Sequence, residues 1–297
     1  MLEPFEYQFF VRGIIAATIV GALCGLIGVY IVLRKMSYIG HGLSHAVFGG
    51  AVVAYVMSFN FYVGAGAWGF LSALLINATT RQRRFIAADA AIGIITTASF
   101  ALGVALISRY RTFTRSFDAA LFGNILGVTQ NDLFAIAAVT ALTFIAIMVL
   151  YRRLMFTTFD PEVAPFFGVN TAWIDSFFSL ILAAALVVSL QILGATLIAA
   201  SLVIPPITAR LLTDNFNRMM VLSVLIGSVC GFIGIYVSYF ADIASGASIV
   251  LVATGAFALA MVWSAIRNRL TTLRGVAGHA AAAGQEKAPA GTQALIE

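Results

Sequence analysis

Apolar residues fall along this chain in nine runs, at about 10–33, 37–59, 61–80, 89–108, 132–151, 171–191, 193–212, 219–241 and 247–266, with charged and turn-forming residues gathered between them. A helix rising about 1.5 Å per residue needs about 20 residues to cross a hydrocarbon layer of about 30 Å, and the runs have that length. The pattern predicts membrane-crossing helices packed as a bundle. Basic residues punctuate the runs at Arg34/Lys35, Arg81/Arg83/Arg84, Arg152/Arg153, Arg210/Arg218 and Arg267/Arg269/Arg274, and nine crossings place all twelve on one side. That side is expected to be cytoplasmic, with the N-terminus outside. The loop at 109–131 departs from the rule, because nine crossings leave Arg109, Arg111 and Arg115 outside. An eight-span arrangement with one re-entrant run therefore stays open.

Two further features of the runs bear on packing. Ala17, Gly21 and Gly25 recur four residues apart in the first run, as do Gly227 and Gly231 in the eighth. Such rows let helix backbones approach closely in lipid, where packing and not hydrophobicity drives association. Pro205 and Pro206, late in the seventh run, remove two backbone donors and predict a kink or break. Carbonyls freed at membrane depth must be buried in protein or face a water-filled cavity.

Composition narrows the class. With 61% hydrophobic residues, 10% charged residues and a mean hydropathy of +1.01, the 297 residues cannot hide their apolar surface in a soluble core. The excess of 17 Lys and Arg over 12 Asp and Glu reads as orientation of spans and not as a nucleic-acid surface. Cys24 and Cys230 lie within apolar runs and read as buried small residues. The first run is long enough to stay as an anchor and not a cleaved signal. The fold class is all-α: a polytopic transmembrane bundle of eight or nine spans over residues 1–270. An Ala- and Gly-rich stretch at 271–297 is expected to be a disordered cytoplasmic tail.

The polar content that interrupts these runs is sparse enough to single out. Of three histidines, His41 and His45 stand four apart in SYIGHGLSHAVFGG, a spacing that puts both imidazoles on one helix face. Counted from Lys35, they fall about 9 and 15 Å along the helix, near the bilayer middle, where ionisable groups face the bundle interior or an aqueous path. Two imidazoles suit Zn, Cu, Fe or Ni and leave coordination positions open. Asp242, at the end of the eighth run, is a candidate oxygen ligand, although an Asp before Gly and Ser is also an ordinary loop residue. No catalytic residues are assigned: a zinc protease would require Glu beside the first histidine in H-E-x-x-H, and Gly42 stands there. The only lysines, Lys35 and Lys287, follow no phosphate-binding G-x-x-x-x-G-K pattern, so any ATP hydrolysis belongs to another polypeptide. No permanently bound cofactor is expected.

Between the fifth and sixth runs, TTFDPEVAPFFGVN opens with Asp160-Pro161, a helix-start signature. Glu162, Ala164 and Gly168 keep the spacing of an E-A-A-x-x-x-G pattern seen in permeases that dock on ABC ATPases. Together with VLRKMSYIGHGLSHAVFGG, DAAIGIITTASFALGVALIS, LFGNIL, LGATLIAASLVIPPITARLL and SYFADIASGASIVL, this segment makes the chain from about 10 to 270 resemble the ABC-3 family, the permeases of zinc, manganese and iron ABC importers. The resemblance implies a bacterial plasma-membrane protein that works as a homodimer with an ABC ATPase subunit and an extracytoplasmic metal-binding protein. It also implies that His45 is a ligand on the metal path and that Asp160, Glu162, Ala164 and Gly168 belong to the ATPase-coupling segment. His41 stands where many members carry Asp, which tilts the expected cargo from manganese towards zinc by ligand softness, with manganese and iron as alternatives. A permease for a siderophore or cobalamin, and an intramembrane metal-dependent enzyme, are the competing readings.

Overall fold

The computed structural model describes residues 3–82, 88–110, 121–124 and 127–286, and the described residues are helical almost throughout. A short 3-10 helix, Glu3–Glu6, leads into α1 (Gln8–Leu33), α2 (Ser37–Val56), α3 (Phe61–Gln82) and α4 (Ala88–Tyr110). After them come α5 (Gln130–Phe159), a 3-10 turn at Ala164–Phe167, α6 (Thr171–Leu193), α7 (Ile198–Leu212), α8 (Phe216–Ala241) and α9 (Ser245–Glu286). Local chemistry sets several of these bounds. Thr129 and Asp132 form a reciprocal capping box at the start of α5, and Asn170 and Asn215 accept from backbone N–H groups of the first turns of α6 and α8.

Among the described residues eight helices are long and apolar enough to cross a membrane, and α7, at 15 residues, is a shorter apolar helix. The seventh run is thus shortened at its start, and its prolines do not break it. Gly194, in a left-handed φ of 74°, ends α6, and the helix resumes at Ile198 and runs through Pro205 and Pro206. The prolines are tolerated because the bundle covers what they free. The carbonyl of Leu202, deprived of its donor by Pro206, lies where a Cβ on Gly28 of α1 would be 2.0 Å away, so it is buried against a helix with no side chain in the way.

α1 and α6 are buried along most of their length, while α5, α8 and α9 present rows of exposed apolar side chains such as Leu142, Ile145, Val149, Leu225, Val229, Leu251 and Leu259. That is the inside-out distribution a lipid-facing surface requires. The small-residue rows meet one another: a Cβ on Gly21 would come within 2.1 Å of Gly227 O, and one on Gly231 within 2.3 Å of Ala17 O. Ser223 Oγ donates to Gly25 O at 2.7 Å across the same α1–α8 seam.

The bundle has two distinguishable ends. The Tyr30 ring near the end of α1 packs against Phe216 at the start of α8, and Phe10 near the start of α1 packs against Tyr239 near the end of α8. Arg34 and Lys35 belong to the first of these ends. Arg152 and Arg153 share it, since Arg34 reaches the α5 turns beside them. Arg210 and Arg218 flank the α7–α8 turn there, and Arg267 reaches the carbonyls of Leu211 and Leu212. The basic residues expected on one side from the sequence thus gather at one end of the bundle. Of the charged groups used in that argument, Arg83, Arg84, Arg111 and Arg115 lie outside the described residues. α9 continues helically to Glu286 with alanines at 280–283, strong helix formers, within the stretch read as an unstructured tail; 287–297 lie outside the described residues.

Candidate functional site

α2 owes its position to glycines on the face it turns towards α4. A Cβ on Gly42 would stand 2.8 Å from Ile92 Cγ2 and 2.9 Å from Thr96 Cγ2, and one on Gly49 2.2 Å from Ser99 O. With Gly42 and Gly49 seven residues apart on that contact, the residues beside them, His41 and His45, lie at its edge. His41 is exposed on the protomer and His45 half-buried. Their rings stand 4.9 Å apart, nearly perpendicular, and the His45 ring also meets Phe100 of α4 edge-on at 5.0 Å.

The polar atoms around the pair divide into committed and uncommitted ones. Ser44 Oγ donates to the His41 carbonyl at 2.7 Å, while Thr96 and Ser99 donate to the carbonyls of Ile92 and Ile95 on their own helix. His45 Nδ1 is buried and has no hydrogen-bond partner among the described residues. A buried ring nitrogen without a partner is costly unless an ion or another molecule completes it. The pair therefore offers ring nitrogens at the edge of the α2–α4 contact, with His41 open to the surroundings and His45 partly covered by Phe100.

Asp242 does not join them. It ends α8 in a left-handed conformation (φ 53°), at the end of the bundle marked by Phe10 and Tyr239 and opposite the α1–α2 turn from which the histidines follow. There it lines a cleft of about 360 Å³ with Asn124, Ser238 and Ser245. Among the described residues no three His, Cys, Asp or Glu side chains come together as a metal site. The sequence placed Asp242 with the histidines because hydropathy carries no information on which ends of two long helices are neighbours.

The segment between α5 and α6 is tightly closed. The Asp160 carbonyl accepts from the N–H groups of Val163 and Ala164, the Ala164 carbonyl accepts from Val169 N–H, and Gly168 caps the turn at a φ of 74°. Asp160, Glu162 and Gly168 are exposed, whereas Ala164 is fully buried and acts as the anchor of the turn. Sequence reasoning missed what the anchor holds out: Phe166 is 88% and Phe167 72% exposed, at the basic end of the bundle. Two aromatic rings left in water on a rigid turn mark a surface for another protein.

Two polar clusters were also missed. At the basic end, the Arg34 guanidinium bonds Thr157, Thr158 and Asp175. Burial lowers its pKa from the ordinary value, and the charge of Asp175 and its hydrogen bond oppose that shift. At the other end, Asp132 accepts from Tyr62 Oη at 2.5 Å and Gln191 Nε2 at 3.3 Å besides closing its capping box. These bonds tie the starts of α3 and α5 to the end of α6, where the chain breaks at Gly194. The sequence signal for this cluster was T-x-x-D ahead of an apolar run.

Comparison with known proteins gives a consistent picture. The model of the ABC 3 transport family matches residues 6–264. The manganese transport system membrane protein MntC of Halalkalibacterium halodurans is 39% identical over 269 residues, 91% of this chain and 92% of that protein. A probable iron transport system membrane protein of Haemophilus influenzae is 33% identical over 271 residues, covering 91% and 95%. Among solved structures, PsaBC from Streptococcus pneumoniae in complex with Fab superposes with a TM-score of 0.79 at 32% identity, covering 87% of this chain and 92% of that one.

Proposed function

The chain belongs to the ABC 3 transport family, and we propose that it is the multi-pass permease subunit, in a bacterial plasma membrane, of an importer that moves divalent transition-metal ions using ATP hydrolysed by a separate chain. The observation that carries the reading is the pair of imidazoles side by side at the edge of the α2–α4 contact inside an otherwise apolar bundle, His41 exposed and the buried His45 Nδ1 lacking a partner among the described residues. A site for transit should not close around its cargo, since an ion held by a full ligand shell leaves too slowly. Two nitrogens per protomer meet that requirement. A second copy facing the first across α2 supplies two more and lines one path between the protomers. The metal arrives from an extracytoplasmic binding protein. The turn at 160–170, with Phe166 and Phe167 exposed, is the seat of the ATPase subunit.

Manganese and iron stand in the names of the relatives above, and that likeness favours one of them as the ion carried here. Zinc is favoured by His41 itself, because imidazole in place of a carboxylate holds the later metals of the first row more tightly than manganese. The relatives lend zinc no support of their own. A bulky siderophore or cobalamin needs a wide path without inward nitrogen ligands, which the pair does not suit. An enzymatic role lacks a carboxylate base beside the pair, since among the described residues no acidic side chain joins the two histidines.

The experiment is uptake into liposomes holding this chain with its ATPase subunit and metal-binding protein, run with Zn, Mn and Fe(II) in turn. ATP-dependent accumulation of at least one ion is expected. Accumulation of none, or accumulation that ignores ATP, contradicts the reading.

A further inference from the structure

Arg34 caps α1 three residues before α2 begins, yet its side chain is only 6% exposed. Nε donates to Thr158 Oγ1 at 2.9 Å, Nη1 to Asp175 Oδ1 at 2.8 Å, and Nη2 to Thr157 Oγ1 at 2.7 Å and the Leu154 carbonyl at 3.5 Å. The guanidinium also lies over the Phe178 ring, 5.0 Å from its centre. Thr157 and Thr158 stand just before Asp160, where α5 ends; Asp175 and Phe178 stand in the first turns of α6. One planar group thus holds both ends of the segment that carries Phe166 and Phe167.

The same residue is part of the α1–α2 turn, and that turn has no slack. Arg34 N–H donates to Tyr30 O and Met36 N–H to Ile31 O, both at 2.9 Å, while Lys35 sits at a φ of 57°. α2 starts at Ser37 and presents His41 one turn later. Apolar packing joins the same helices deeper in the bundle, where the Tyr30 ring meets Phe178 at 6.0 Å, but at the turn itself a cleft of about 300 Å³ opens, lined among others by Arg34, Ile39, Leu43, Asn77, Pro161 and Asp175. The guanidinium bridges its wall. A fork of fixed geometry cannot follow one partner without pulling on the others, whereas an ammonium on a flexible stem can.

We propose that Arg34 is a positioning residue that transmits displacement of the ATPase-facing segment, 160–170, to the start of α2 and so to the His41–His45 pair. The inference rests on the transport reading above. It makes Arg34 the element that ties metal passage to ATP hydrolysis, without touching metal or nucleotide itself.

The test uses Arg34→Ala, Arg34→Lys, Asp175→Asn and Thr157→Val in the full complex in liposomes, with ATP hydrolysed and metal accumulated measured in the same vesicles. In Arg34→Ala the metal moved per ATP is expected to fall by about tenfold, the scale of one charge-assisted hydrogen bond, while the ATPase subunit stays bound and hydrolysis continues. Arg34→Lys, keeping the charge but not the fork, should fall in the same direction by less. Asp175→Asn and Thr157→Val are near-isosteric, so they carry the test where Arg34→Ala does not assemble, again with hydrolysis outrunning uptake. A merely structural role lowers hydrolysis and uptake together or neither, and either result overturns the proposal. Wild-type vesicles that move no metal overturn the transport reading itself; wild-type uptake with unchanged metal per ATP in the variants overturns the role of Arg34 alone.

Discussion

Replacing Phe166 and Phe167 together by Asp will release the ATPase subunit from the permease while leaving the permease folded. Both rings project from a turn whose backbone is closed on itself and whose anchor, Ala164, is buried, and Phe167, although it meets Phe156 edge-on at 5.3 Å, is 72% exposed, so their removal costs the fold little. A buried aromatic anchor at a protein interface is worth about 2 kcal/mol or more, which is about thirtyfold in affinity for each ring. A carboxylate in its place adds the cost of desolvating a charge. Glu162→Ala, on the same turn but at its polar rim, should change affinity only slightly. Titration of the purified ATPase subunit onto permease in nanodiscs measures all three proteins. Undiminished affinity in the double variant would place the ATPase elsewhere.

Converting both His41 and His45 to Ala should lower the initial rate of metal uptake by about a hundredfold, as expected when two charge-stabilising ligands worth about 1.5 kcal/mol each are lost. The two positions differ in what else they hold. His41 is exposed on the protomer, so its loss removes a ligand and little packing. His45 packs on Phe100, so a single His45→Ala change also opens space between α2 and α4. His41→Ala alone is therefore the cleaner variant. It should retain wild-type thermal stability in detergent and ATPase binding while losing most of the uptake. Uptake at the wild-type rate in the double variant would remove the pair from the path.

Much of this was legible because lipid leaves few choices to a chain. Once apolar runs of bilayer length are counted, helices follow, and the small-residue rows at Ala17, Gly21, Gly25, Gly227 and Gly231 announced a seam that the structure places between α1 and α8. The histidine pair was legible for the same reason: a helix of known pitch puts positions four apart on one face. The seventh run was read less well. Its prolines looked like the break, but a proline's local penalty depends on whether a neighbour covers the freed carbonyl, and Gly28 does so. The helix stops instead at Gly194, at the boundary between the sixth and seventh runs, where the chain is fitted to Leu121, whose carbonyl accepts from Thr196, a match between segments 75 residues apart.

Asp242 and Arg34 show the same limit from opposite sides. Asp242 carries the right chemistry for a ligand at the wrong end of the bundle. Arg34 read as one more orienting charge, and its burial against α5 and α6 depends on a contact across more than a hundred residues. Phe166 and Phe167 lie inside the segment that the motif picked out, but the motif names neither; their exposure above the buried Ala164 reveals that they are held outward.

The most direct test of the account is the X-ray absorption spectrum of zinc-loaded permease in complex with its ATPase subunit, compared with the His41→Ala/His45→Ala variant. At least two imidazole nitrogens at about 2.0–2.1 Å from the metal are expected, and are lost in the variant. A shell of oxygens alone, or a spectrum that the double substitution leaves unchanged, would contradict it.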